Sequence, residues 1–217
     1  KDSSRDDRRL QGTSANLQQR PWHLHLAIDA LLQDPLLYPG ERPQRIALIG
    51  HSLGAYTALA LAGGEPRTLP EVWPDGTTEA IAVTHDSRVS ALVLLAPAAV
   101  WFHAPGALDA VHVPVMMWAG EQDTVTPALH HAEMVVRHLP HQASLDYRKI
   151  ADAGHFSFLS IFPLEMHRSG FAPAQDPPGF DRALFQQDLA EEIVKFINGV
   201  PLSEHKDQEF AHSSLRR

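Results

Sequence analysis

Apolar positions in this chain fall into short unbroken runs, separated by stretches in which they recur every three or four residues. Ile46-Ala47-Leu48-Ile49, Ser90 to Ala96 (S-A-L-V-L-L-A) and Val111 to Ala119 (V-H-V-P-V-M-M-W-A) have strand length and little alternation, the pattern of strands buried on both faces. Pro97 closes the second run, and Pro114 lies near the start of the third, where a missing N–H matters less. Leu145 to Ile150 is a fourth, shorter strand. Between them the period lengthens. From Pro21, well suited to a first helical position, Leu24, Ile28 and Leu31 recur on one face. Leu53 to about Ala62 is apolar nearly all round and predicts a central helix that Gly63 and Gly64 end. A helix after Pro127 runs to Leu139, with Leu129, Ala132, Val135, Val136 and Leu139 inward and Pro140 stopping it. The last helix has Asp181 as N-cap, Phe185, Leu189, Ile193 and Phe196 on its core face, and Gly199 and Pro201 at its end. Strands alternating with helices predict an α/β fold, a parallel sheet with helices on both faces.

The remainder is polar or broken. Residues 1–20 are dense in Arg, Asp, Ser and Gln and read as a solvated arm; 21–202 form the domain; 203–217 are a polar tail. Pro35, Pro39 and Pro43 interrupt the segment before the first strand, and 163–180 read as loop. Residues 65–88, with Trp73 and no clear period, predict an excursion over the surface of a kind that can roof a substrate pocket.

Composition narrows the function. With 217 residues, 44% of them hydrophobic and 20% charged, the chain has material for one globular core. A formal charge of -8 disfavours nucleic acid and anionic membrane as partners, and no apolar run approaches membrane-spanning length. The absence of cysteine removes disulfides, thiolate catalysis and cysteine-type zinc sites, and leaves the compartment open.

The first run ends in Gly50-His51-Ser52-Leu53-Gly54 and passes at once into the apolar helix. Strand, sharp turn and helix around G-x-S-x-G lift a serine hydroxyl clear of the sheet, with Gly50 and Gly54 removing side chains that would collide. Ser52 is therefore the candidate nucleophile, and the Leu53 N–H at the helix start is a candidate oxyanion donor. A serine needs a base, and the base an orienting partner. In parallel sheets such groups collect beyond the carboxyl ends of strands. Gly120-Glu121-Gln122-Asp123 follows the third strand and Ala151-Asp152-Ala153-Gly154-His155 the fourth, so Asp123 and His155 complete the order Ser, Asp, His. Asp152 and Glu121 are the rivals to Asp123, with Asp152 suited to bracing its loop. His51 and Phe156 are assigned to the pocket edge. Trp101, Phe102 and His103 either line an acyl or alcohol pocket or cap the core. Neither His23 with His25 nor His130 with His131 converges as a metal pair, since such neighbours diverge on a helix. No metal or cofactor is implied.

Residues 45–64, 117–127 and 151–159 resemble the α/β-hydrolase superfamily. The likeness sharpens toward its serine-dependent, dienelactone-hydrolase-like esterases, a group that also resembles platelet-activating-factor acetylhydrolases and cutinase-type polyester hydrolases. Arg20-Pro21, the elbow, Ala153-Gly154-His155-Phe156 with Phe158, and Pro178-Gly179-Phe180-Asp181-Arg182 carry it. The resemblance implies a serine hydrolase of carboxylic esters or lactones, where the namesake enzymes use cysteine. It also implies strands before the elbow and a loop, often with His-Gly, that supplies a second oxyanion N–H. About 45 residues precede the elbow, without a convincing strand, and no His-Gly dipeptide occurs. The expectation is then a C-terminal part of a longer fold, its elbow strand left with an open apolar edge for a complementary N-terminal segment or an oligomer partner. The alternative is a non-catalytic hydrolase-like scaffold that binds a ligand or a partner chain.

Overall fold

The computed structural model describes residues 9–10, 12–37, 45–72, 75–140, 143–168 and 170–200. The parts of the N-terminal arm at 1–8 and 11, the prolines at 39 and 43, Trp73 and the tail at 203–217 lie outside the described residues.

Four strands, β1 (Ile46–His51), β2 (Val89–Leu95), β3 (Val115–Gly120) and β4 (Leu145–Ile150), form one sheet in the order β1-β2-β3-β4. Every pairing is parallel, as the unalternating runs predict. Helices cover both faces. On one, Leu92, Leu94, Val115 and Met117 pack with Leu17 and Ile28 of α1 (Ser14–Gln33), the fully buried Tyr56 and Leu59 of α2 (Leu53–Leu61), and Val135 of α3 (Ala132–His138). On the other, Val93, Leu95, Met116 and Trp118 pack with Phe185, Leu189, Ile193 and Phe196 of α4 (Arg182–Gly199), the face expected of that helix. Adjacent residues of β2 and β3 thus serve opposite cores, as the pleat requires.

Several boundaries depart from the sequence reading. The arm does not run to residue 20: α1 begins at Ser14, capped by the Thr13 hydroxyl, which accepts the Asn16 N–H. Its Leu17 is buried, and Pro21 sits inside the helix instead of opening it. The ring removes the N–H that would bond to the Leu17 carbonyl, and the Tyr56 hydroxyl donates to that carbonyl instead, at 3.1 Å. Leu24 and Ile28 turn inward, but Leu31 is exposed and Leu32 takes its place against the core. β3 starts only at Val115, after Pro114, because the proline nitrogen has no proton for the ladder. The helix read after Pro127 is divided into a 3-10 turn at Ala128–His130 and α3; Leu129 and Val136 face solvent while Ala132, Val135 and Leu139 are buried.

All four strands point the same way, so the loops leaving β1, β3 and β4 meet at one end of the sheet.

Candidate active site

Ser52 stands between β1 and α2 with φ 54° and ψ −119°, a conformation costly for a residue with a Cβ. The turn is held in place by its backbone: the Ser52 N–H donates to Leu95 O at 3.0 Å, and Ser52 O accepts from Ala98 N at 3.1 Å and Ala55 N at 3.0 Å. Gly50 is obligatory, since a Cβ there would lie 2.4 Å from the Gly54 backbone. Gly54 differs from the expectation. A Cβ on it would meet nothing within 4 Å beyond its own helix, so the crowding at the elbow comes from Gly50 alone. The Leu53 N–H, first in α2, makes no backbone hydrogen bond among the described residues.

His155 opens a 3-10 turn (His155–Phe158) just past β4, and its Nε2 lies 3.0 Å from the Ser52 Oγ. Its Nδ1 lies 2.8 Å from Asp123 Oδ2 and 3.0 Å from Thr126 Oγ1. A nitrogen facing a carboxylate must carry the proton, so Nδ1–H donates to Asp123 and the Nε2 lone pair accepts the hydrogen bond of the Ser52 hydroxyl. Both side chains are almost wholly buried. Burial alone would push the Asp123 carboxyl up. The bonds from His155, the Thr126 N–H and the Thr126 hydroxyl outweigh it, and the group is held below its ordinary value. Asp123 Oδ1 accepts from Val125 N at 2.8 Å and Thr126 N at 2.7 Å, while Thr126 Oγ1 donates to Oδ2 at 2.7 Å. The loops of β3 and β4 approach closely enough for this because residue 120 is glycine; a Cβ there would fall 2.4 Å from Ala153 O.

The rivals to Asp123 are elsewhere. Asp152 is exposed and its carboxylate accepts from the Gln122 side chain, the bracing role expected of it; Glu121 is exposed.

The pocket assignments divide. Phe156 packs edge-on against the His155 ring, with centroids 5.0 Å apart. His51 touches the same residue twice: its Nε2 donates to the His155 carbonyl at 2.8 Å, and its ring lies 4.8 Å from the His155 ring. Burial lowers the His51 pKa against the opposing pull of that carbonyl bond. Phe102 belongs to the core, not to a pocket: it is fully buried and stacks on Tyr56 at 5.4 Å, because the chain after β2 turns back over α2. Trp101 packs edge-on against the same tyrosine, and His103 bonds to Thr68 O. Nor does the described part of the 65–88 segment roof the site. It borders a cavity of about 570 Å³ lined by residues including Arg67, Ile81, His85 and Pro105, with none of Ser52, Asp123 and His155 on its walls.

Two buried residues escaped the sequence reading. Thr126 joins Asp123 and His155; a threonine three residues after an aspartate in a loop is the signal, since such pairs close local hydrogen-bonded turns. His131, from the diverging pair, accepts the Ala99 N–H on its Nδ1 at 2.9 Å and so fixes the bend whose Ala98 N–H holds Ser52.

Among the described residues, no cluster of three or more His, Asp or Glu is placed to hold a metal ion, and no helix is long and apolar enough to cross a membrane. No protein-family model matches the chain, and no curated protein matches it.

Proposed function

We propose that this chain is a serine hydrolase that cleaves carboxylic esters or lactones through an acyl-enzyme, as the esterases its elbow and histidine loop resemble would. The observation that carries this reading is the unbroken relay from the Ser52 hydroxyl at 3.0 Å to His155 and from His155 at 2.8 Å to a buried Asp123, with the serine in a left-handed turn. Ser52 Oγ attacks the carbonyl carbon while its proton passes to His155 Nε2. Asp123 stabilises the imidazolium, and the Leu53 N–H donates to the oxyanion. Collapse of the tetrahedral adduct expels the alkoxide, which takes the proton from His155. Water then gives a proton to the same nitrogen and its oxygen to the acyl carbon, and the acid leaves as Ser52 regains its hydrogen. Every step uses groups on this chain and water.

A fluorophosphonate probe tests the reading. Ser52 is labelled, as located by peptide mass spectrometry; Ser52→Ala abolishes labelling, and His155→Ala slows it by a factor on the order of 10³ or more. Undiminished labelling of His155→Ala would show that the base is a different residue.

A further inference from the structure

We infer that His51 is a positioning residue of this site, a staple that holds the base in place through the half of the reaction in which the serine cannot. The inference rests on the hydrolase reading. Ser52 and His155 come from opposite ends of the sheet order, one following β1 and the other following β4. Among the described residues two hydrogen bonds join the elbow to the histidine loop. One, from Ser52 Oγ to His155 Nε2, is consumed by the chemistry: once Oγ is esterified it has no proton to share. The other, from His51 Nε2–H to the His155 carbonyl, involves no reacting atom and persists in the acyl-enzyme.

Asp123 continues to orient the ring through Nδ1, but it approaches from the β3 side and does not fix the distance between base and elbow. His51 does, because it is the residue next to the nucleophile and grips the backbone of the base. Its donor must be Nε2–H, since a carbonyl only accepts. Deacylation requires His155 to take a proton from water beside the Ser52 ester, so the staple matters most there. Acylation starts from a state already joined by the Ser52–His155 bond, and depends on it less.

The test is the burst and steady-state hydrolysis of p-nitrophenyl acetate by the full chain, with the acetyl-Ser52 level read by intact mass. His51→Phe keeps the ring packing and removes the donor. We expect its burst rate constant to stay within about threefold of wild type while deacylation slows about tenfold, the worth of one hydrogen bond, and acetyl-enzyme accumulates. His51→Gln, whose amide N–H reaches the same carbonyl, restores deacylation to within about threefold. Should the phenylalanine variant not fold, His51→Asn replaces it: its shorter amide falls short of the carbonyl, and deacylation slows likewise. Deacylation at the wild-type rate in these variants, or equal slowing of both phases without rescue by glutamine, overturns the staple and leaves the hydrolase reading intact. A wild-type chain that releases p-nitrophenol no faster than its Ser52→Ala variant overturns both.

Discussion

Thr126 shows how much of the site rests on a residue with no chemistry of its own. Its hydroxyl spends its single proton on Asp123 Oδ2 and offers a lone pair to His155 Nδ1–H, while its N–H fills Asp123 Oδ1. Thr126→Val keeps the shape and the N–H but removes the oxygen. We expect kcat to fall about tenfold with KM little changed, because the carboxylate loses one of its donors and not its position. Asp123→Asn should cost on the order of 10³ to 10⁴ in kcat, since an amide N–H facing Nδ1 favours the wrong tautomer. Steady-state kinetics on one ester separates the two. Asp123 and His155 were legible because strand, loop and chain order constrained them together. Thr126 was not, because a hydroxyl becomes part of a relay only through distances that sequence spacing does not supply. Phe102 is decided by the same kind of information: its place after a strand end fits a pocket wall or a core cap equally, and only the return of the chain over Tyr56 selects the core.

The elements that carry Ser52, Asp123 and His155 are tied to their neighbours by polar contacts as well as by packing. The turn holding His155 is anchored through Ser157, whose Oγ accepts from Gly154 N at 3.0 Å and donates to Asp176 Oδ1 at 2.8 Å. Asp176 in turn is gripped by both arms of Arg182, at 2.8 and 2.9 Å, at the start of α4. Arg182 is buried, and its Nη1 also donates to Pro173 O. Arg182→Met therefore strands the Asp176 carboxylate against the turn that holds His155. We expect a loss of about 3 kcal/mol in urea unfolding. Slower fluorophosphonate labelling should accompany it, with partial recovery of stability on adding Asp176→Asn. The limits of these elements are legible where a cap or breaker is local, as with Asp181 before α4 or the glycines after α2. The start of α1 is hidden in the sequence because Pro21 normally marks a first helical position, while here it lies inside Ser14–Gln33. Only a tyrosine from another helix, filling the vacated carbonyl, makes it tolerable in the interior.

Across the whole molecule, two buried polar ties set opposite ends of the acid range. Asp86 joins α1 to the approach of β2 through Arg88 and His25, and Arg88 also meets Asp29. Hydrogen bonds from Arg88, acting against burial, hold the Asp86 carboxyl down at about 2, from an ordinary 3.8. The stabilisation is thus complete above the unfolded value and is lost as pH falls through the folded one. His131 works in a higher window. Burial first, with smaller contributions from the nearby His130 and His155 and against the pull of Asp123, pushes it down to about 4 from 6.5. Between those values the unfolded chain binds a proton that the folded chain refuses, so stability declines as pH drops from about 6.5 and the penalty levels off below about 4. Protonation would also cost Nδ1 its lone pair and release the Ala99 N–H, loosening the bend against Ser52. His131→Asn places an amide oxygen where Nδ1 was and does not titrate. Its Tm relative to wild type should therefore rise steadily from pH 7 to pH 4.5, a range in which Asp86 stays ionised in the folded state. A Tm difference that is flat across that range would mean that His131 takes up its proton while folded. In that case its bond to Ala99 would not be holding the elbow.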